Sequence, residues 1–288
     1  MKPAPFKLYV PEDEQEILAL LHEYGTEARI LAGGQSLVPL MNMRILQPQV
    51  LISLNRCAAL SYLNEQGGGY AIGARTRQAE LEDSERVAQR LPLVSAAMPY
   101  VGVRASRNCG TVCGSLAHAD PLAELPSVAA ALEATFEIAS VRGRREVSAD
   151  EFYLSALSNC LEPDEMLRQV WIPKAGSDSK SVFLEVSNRA HGFAVAGLAL
   201  SVDIDAGGVC RKARLAAMGL SETTLRLRPA EKLLEGKVLT EELVEEASAV
   251  STEATAPYQD IHADREYRRR VAGVLVKRAL LNCSETVN

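Results

Sequence analysis

Ile30-Leu31-Ala32-Gly33-Gly34-Gln35-Ser36-Leu37 is the stretch on which the reading of this chain turns. Ala28 to Ala32 is a short apolar run that reads as a buried strand, and Leu37, Leu40 and Met41 beyond the glycines read as the apolar side of a helix. Glycine carries no Cβ, so the backbone between the two can turn sharply and approach a ligand closely. Backbone N–H groups at a helix start attract phosphate. A plain tight turn satisfies the same residues, and taken alone the stretch does not choose between the two. It has neither the Lys-Ser or Lys-Thr of a Walker A loop nor the Gly-x-Gly-x-x-Gly spacing of a dinucleotide fold.

Working outward, residues 11–24 predict an amphipathic helix with acids in its first turn, an apolar side of Ile17, Leu18, Leu20 and Leu21, and Gly25 as its stop. Gln49 to Leu54 predicts a second strand, which makes residues 1–57 a compact βαβ-like unit. In a second unit, 58–175, Gly67-Gly68-Gly69 turns a hairpin between strands at 60–63 and 70–73, and 77–100 is helical with a break at Pro92. Residues 101–121 are small, polar and glycine-bearing and read as a long functional loop. Leu122 to Ala134 follows as a helix, then strands at 135–140, 146–148 and 166–172. Past a linker at Gly176 to Lys180, a third unit (176–288) has strand-like runs at 182–186, 194–202 and 210–218, then helices at about 229–235, 240–254 and 264–281. Strands first and helices after is an α+β pattern.

A second small, polar, glycine-bearing stretch, Asn108-Cys109-Gly110-Thr111-Val112-Cys113-Gly114-Ser115, changes the weight of the first. Two such loops far apart in sequence could clamp both ends of a dinucleotide, because a diphosphate needs many N–H and hydroxyl donors with little side-chain bulk. Composition closes other routes. A net charge of -6 and 5% aromatic residues disfavour nucleic-acid binding, which needs clustered positive charge and stacking surfaces. No run of about 18 apolar residues is present to span a membrane. Lys2 is not followed by an apolar run of signal-peptide length, so a cytoplasmic location is expected. Six cysteines are scattered, with only Cys109 and Cys113 close together, so neither a zinc nor an iron–sulfur ligand set is expected in this chain.

With both loops in view, the sequence resembles the FAD-binding subunits of the xanthine dehydrogenase and carbon monoxide dehydrogenase family of molybdenum hydroxylases. Ala32 to Ser36 match that family's Ala-Gly-Gly-x-Ser loop, and Gly110 to Ser115 match its Gly-Thr-(Ile/Val)-Gly-Gly-Asn loop with two departures. Gly192-Phe193-Ala194 match its Asp/Gly-Phe/Tyr-Ala segment, and Glu266-Tyr267-Arg268 match its C-terminal Tyr-Arg helix. The resemblance runs collinearly from about residue 4 to residue 282 and looks nearest to the medium subunits of N-heterocycle hydroxylases of the quinoline 2-oxidoreductase type. It implies an α+β fold of the vanillyl-alcohol-oxidase (PCMH) type, with two α/β subdomains and a C-terminal three-stranded sheet with helices.

By the same resemblance, Ile30, Leu31, Ala32, Gly33, Gly34, Gln35, Ser36 and Leu37 would form the first FAD loop, and Gly110, Thr111, Val112, Cys113, Gly114 and Ser115 the second. Val101 would lie beside the adenine–ribityl channel, Asp120 or Glu124 would accept hydrogen bonds from ribityl or ribose hydroxyls, Leu167 would make an apolar contact, and Phe193 would lie near the isoalloxazine ring. Cys113 stands in place of a Gly and Ser115 in place of an Asn, so backbone strain or proximity to the flavin is in question at position 113. Gly192 replaces a frequent Asp.

The resemblance implies that no residue of this chain acts on the organic substrate and that none binds metal. It implies a large molybdopterin subunit and a small subunit with two [2Fe-2S] clusters as partners, in an (αβγ)2 assembly. Electrons would reach this FAD and leave to an external acceptor, while the whole complex hydroxylates an N-heteroaromatic such as quinoline. A carbon monoxide, nicotine or xanthine dehydrogenase type of complex, a stand-alone flavin oxidase, and a scaffold that has lost FAD are the competing readings. His118 and His191 adjoin the expected site without the context of a catalytic triad, Glu80, Glu82 and Asp83 read as a solvated charge cluster, and Arg265, Arg268, Arg269 and Arg270 read as a solvated basic helix face.

Overall fold

The computed structural model describes residues 2–190 and 192–284. The chain begins with β1 (Lys7–Tyr9), α1 (Glu14–Tyr24), β2 (Ala28–Leu31), α2 (Leu37–Asn42) and β3 (Val50–Ser53), which form a parallel sheet in the order β1-β3-β2. Asp13 caps α1 by accepting from the Glu16 N–H at 2.8 Å, and the acids Glu14 and Glu16 stand where the helix dipole favours them. Ile17, Leu18, Leu20 and Leu21 are buried, each burial contributing about 1.5–3 kcal/mol. Gly25, at φ +46, ends the helix. The three-residue strand β1 is an addition to the sequence reading.

The next elements are β4 (Leu63–Gln66), β5 (Gly69–Gly73), α3 (Gln78–Glu82), α4 (Glu85–Arg90), α5 (Pro92–Ala97), α6 (Arg104–Cys109), α7 (Val112–His118), α8 (Glu124–Ala131), β6 (Thr135–Ser140), β7 (Gly143–Ser148), α9 (Ala149–Phe152), the small hairpin β8 (Tyr153–Ser155) and β9 (Ser158–Asn159), and β10 (Met166–Pro173). Five of the strands make an antiparallel sheet in the order β4-β5-β10-β6-β7. The stretch 101–121, expected to be one long loop, is instead two short helices joined at Gly110 and Thr111. Thr111 caps the second of them, its hydroxyl accepting from the Gly114 N–H at 3.1 Å.

The last part holds β11 (Ser179–Ser187), β12 (Ala194–Ile204), β13 (Cys210–Met218), β14 (Leu225–Arg226), α10 (Arg228–Leu234), α11 (Glu241–Glu253) and α12 (Arg265–Ser284). Its antiparallel sheet runs β11-β12-β13-β14, so the three expected strands gain a two-residue fourth. An antiparallel strand usually alternates apolar with polar residues, but β12 is buried nearly throughout. The cause is burial on both faces. Ala199, Ala216 and Met218 join the core that fills the first two sheets, while Leu198, Leu200, Val202 and Leu215 pack with α10, α11 and α12. Helices α5 and α8 pack on the third sheet, and α7 on β5 and β10 of the second. Among the described residues no helix is long and apolar enough to cross a membrane.

Candidate functional site

The two glycine loops touch. A Cβ at Gly33 would fall 2.5 Å from the Cys109 carbonyl oxygen and 2.6 Å from the Gly110 Cα, so only glycine lets the turn after β2 pass against the α6–α7 junction. Gly34 serves a different need, a left-handed backbone at φ +72. Five consecutive backbone N–H groups, Gly33 to Leu37, donate to no acceptor among the described residues, and the Ser36 hydroxyl caps nothing. All five residues are at least partly open to solvent, so the loop offers a row of free donors at the start of α2.

The second loop is stitched into the fold. Gly110 N–H donates to the Ser106 carbonyl at 2.7 Å, Val112 N–H to the Thr76 carbonyl at 3.1 Å, and Gln78 N–H to the Gly110 carbonyl at 3.0 Å. Cys113 lies inside helix α7, not at a left-handed turn residue, so the strain expected for a side chain there does not arise. Its thiol is only 2% exposed, faces the Ile72 carbonyl at 3.6 Å, and is pushed up to about 12 by burial. Cys113 therefore belongs to the core, and redox work for it beside a flavin is set aside. Ser115, one turn into α7, is half-buried, with its N–H on the Thr111 carbonyl at 3.1 Å.

The other expected residues lie on several different elements. Ile30 and Leu31 are in β2 and half-buried. Val101 is buried, and its carbonyl accepts from Arg107 Nη1 at 3.0 Å. Arg107 is itself buried and paired with Glu82 at 2.7 Å, which holds the Glu82 carboxyl below its usual range with help from Arg104. Glu82 thus holds Arg107, which clamps the Val101–Gly102 turn through both carbonyls, where a solvated cluster was expected. Asp120 Oδ1 accepts from the Leu122 N–H at 2.9 Å. Glu124 opens α8, half-buried, and burial pushes its carboxyl up to about 8. Leu167 is buried in β10, the strand against which α7 packs. Phe193 is 70% exposed at the β11–β12 turn, and its neighbour His191 lies outside the described residues. His118 ends α7 and is half-buried.

Two residues were not anticipated. Glu185 shares with Phe183 the β11 face turned away from Val182, Leu184 and Val186, which pack into the C-terminal core. Its Oε2 is buried with no hydrogen-bond partner among the described residues, burial raises the carboxyl to about 7, and it is close enough to Glu124 to push that group up further. A lone acid at an inward position of a period-two strand was the signal for it. Arg268, read as part of a solvated face, is fully buried. It donates to the carbonyls of Val195 and Gly219, pairs with Asp260 at 2.6 Å, and lies 4.7 Å from the Tyr258 ring centroid. Helical spacing from Arg268 to the buried Ala272, Leu275 and Ala279 was the signal there. Gly219 N–H in turn donates to the Pro121 carbonyl at 2.9 Å, so Arg268 fixes the third sheet to the segment that carries Asp120.

Residues 4–175 match the family described as "FAD binding domain in molybdopterin dehydrogenase", and residues 181–283 match "CO dehydrogenase flavoprotein C-terminal domain". The 6-hydroxypseudooxynicotine dehydrogenase complex subunit alpha of Paenarthrobacter nicotinovorans is 35% identical, over 97% of this chain and 95% of that protein. In solved structures, a chain of the carbon monoxide dehydrogenase of Hydrogenophaga pseudoflava superposes with a TM-score of 0.96 at 34% identity, covering 100% of this chain and 99% of the other. A chain of the quinoline 2-oxidoreductase of Pseudomonas putida 86 superposes with a TM-score of 0.93 at 33% identity, with the same coverage.

Proposed function

This chain belongs to the family of FAD-binding medium subunits of the molybdenum hydroxylases, and from that membership we propose that it holds FAD along the seam of its glycine loops and relays electrons from a partner's [2Fe-2S] clusters to an acceptor outside the complex. The chemistry FAD supplies when bound is to take up electrons singly and release them in pairs. The single observation that carries the reading is the row of five free N–H groups from Gly33 to Leu37, beside the Ser36 hydroxyl, which suits a diphosphate.

The rest of the chain shapes and dries the site. Thr111 to Ser115 wall it from the second loop, Val101 and Leu167 line it, and Phe193 stands at the edge of the third sheet. Asp120 accepts from the cofactor's hydroxyls, and Glu124, raised to about 8, is largely protonated at neutral pH and offers an O–H as well. Arg268 keeps Asp120 and the third sheet in register.

The partners in this reading are a large molybdopterin subunit and a small subunit with two [2Fe-2S] clusters, in an (αβγ)2 complex of the cytoplasm. The substrate class is an N-heteroaromatic such as quinoline, supported by the names of the quinoline and pseudooxynicotine relatives. The test is affinity purification of the chain from its source, with metal and flavin analysis, followed by addition of quinoline-type substrates without oxygen. Co-purifying molybdenum and iron, and bleaching of the flavin band by an N-heteroaromatic, are expected. Flavin with no molybdenum or iron partner would contradict the relay.

A further inference from the structure

We infer that Arg77 fixes the spacing of the two glycine loops and supplies the uncompensated positive charge beside the diphosphate site. The inference rests on the reading that this chain holds FAD. Past the end of β5, the Thr76–Gln78 corner runs antiparallel to residues 110–112: Arg77 bridges Thr111, and the Gln78 and Val112 N–H groups close the two flanking bonds at 3.0 and 3.1 Å. The corner is thereby part of the second loop's support. The Arg77 side chain reaches across the seam. Nη1 donates to the Cys109 carbonyl in the second loop and to the Ala32 carbonyl in the first, at 3.5 Å for the latter, and Nη2 donates to Asn55 Oδ1 at 2.7 Å, just past β3. One planar fork therefore ties three segments of chain that are distant in sequence.

Every acceptor of that fork is neutral. Glu80, the nearest acid in sequence, bonds the Arg77 backbone N–H at 2.9 Å and not the guanidinium. Among the described residues the ion pairs engage Arg56 and Arg104 but pass over Arg77. Arg104 and Arg107, by contrast, are neutralised by Glu82 and Asp83. A guanidinium has five N–H donors and holds its charge at any working pH, so Arg77 keeps both charge and donor capacity in a half-buried place next to the free N–H row. A dianionic diphosphate is the ligand chemistry that such a charge favours.

The test is a titration of the full chain, freed of flavin, with FAD and separately with riboflavin, which lacks the diphosphate, at low and high salt. Arg77→Gln is expected to weaken FAD binding about tenfold or more at low salt, less at high salt because screening acts on charge, and to leave riboflavin binding within about threefold. Arg77→Lys keeps the charge and is expected to recover part of the loss. Asn55→Ala keeps the charge and removes one anchor, and is expected to weaken FAD binding about threefold; it carries the test should Arg77→Gln fail to fold. FAD binding by Arg77→Gln, or by Asn55→Ala in its place, as tight as in the unaltered chain would overturn the inference while leaving the FAD reading standing. An unaltered chain that binds no FAD, alone or in its complex, would overturn both.

Discussion

In the first glycine loop the N–H groups from Gly33 to Leu37 have no acceptor among the described residues, whereas in the second Gly110, Val112, Gly114 and Ser115 each donate within the protein. The same residue types thus do opposite work a few ångströms apart. The first loop is built to give hydrogen bonds away; the second has spent most of its own and acts as a wall that decides where the first one sits. Glycine follows the same division. Gly33 and Gly110 are required by close backbone or side-chain approach, with a Cβ at Gly110 falling 2.6 Å from Gln78 Oε1, while Gly34 is required by its positive φ. Changes in the first loop should therefore reach the ligand directly as well as the fold, and changes around the second should act on the fold first.

The hardest test of that division lies at the far end of the second loop. Arg268→Met strips a buried cation from Asp260 and two carbonyls, and is expected to cost about 3–5 kcal/mol of stability in chemical denaturation. A loss under 1 kcal/mol would mean that the third sheet does not hold the segment in place. Next, Gly33→Ala forces backbone against backbone and is expected to cost about 1–3 kcal/mol together with most of the FAD affinity. Gly34→Ala meets only side-chain atoms at 3.2 and 3.3 Å and is expected to cost about 1 kcal/mol, from φ alone. If the two alanine variants behaved alike, the distinction between approach and φ would fail.

A smaller effect should appear with pH. Glu124 is raised from 4.5 to about 8, chiefly by burial, so it favours the fold fully while protonated, and that contribution drains away as pH climbs from about 5 through 8. Glu124→Gln removes the dependence. The difference in melting temperature, variant minus unaltered chain without flavin, is expected to rise over that range; a flat difference would contradict the buried carboxyl. The least disruptive test is labelling with iodoacetamide. Exposed Cys109 is expected to react in the native protein, and Cys113, buried and raised to about 12, only after unfolding.

Periodicity made most of the fold legible. Helices such as α1 and α12 bury apolar residues at regular spacing, and β12 is a continuous apolar run, so all three can be read without coordinates. The stretch 101–121 was misread because α6 and α7 are only 6 and 7 residues long and rich in small polar residues, so α7 rests on its Thr111 cap and α6 on the bonds of Arg107, not on an apolar stripe. At the site, the glycine loops could be found from composition alone, but their unequal roles could not, since a free N–H and a bonded one look identical in sequence. Arg77, Glu185 and Arg268 escaped notice for a related reason. A charged residue reads as solvated until the elements around it are placed, and only their packing reveals a fork across two loops, a carboxyl facing inward, or a guanidinium at 0% exposure.

The most direct measurement is the visible absorption spectrum of the full chain, purified with whatever accompanies it, beside that of Gly33→Ala, with the flavin released by denaturation identified by chromatography. Oxidised-flavin bands and FAD are expected from the unaltered chain, and little or none from the variant. A folded chain that carries no FAD even after incubation with it and with its partners, or a Gly33→Ala variant that retains FAD in full, would contradict the two-loop site.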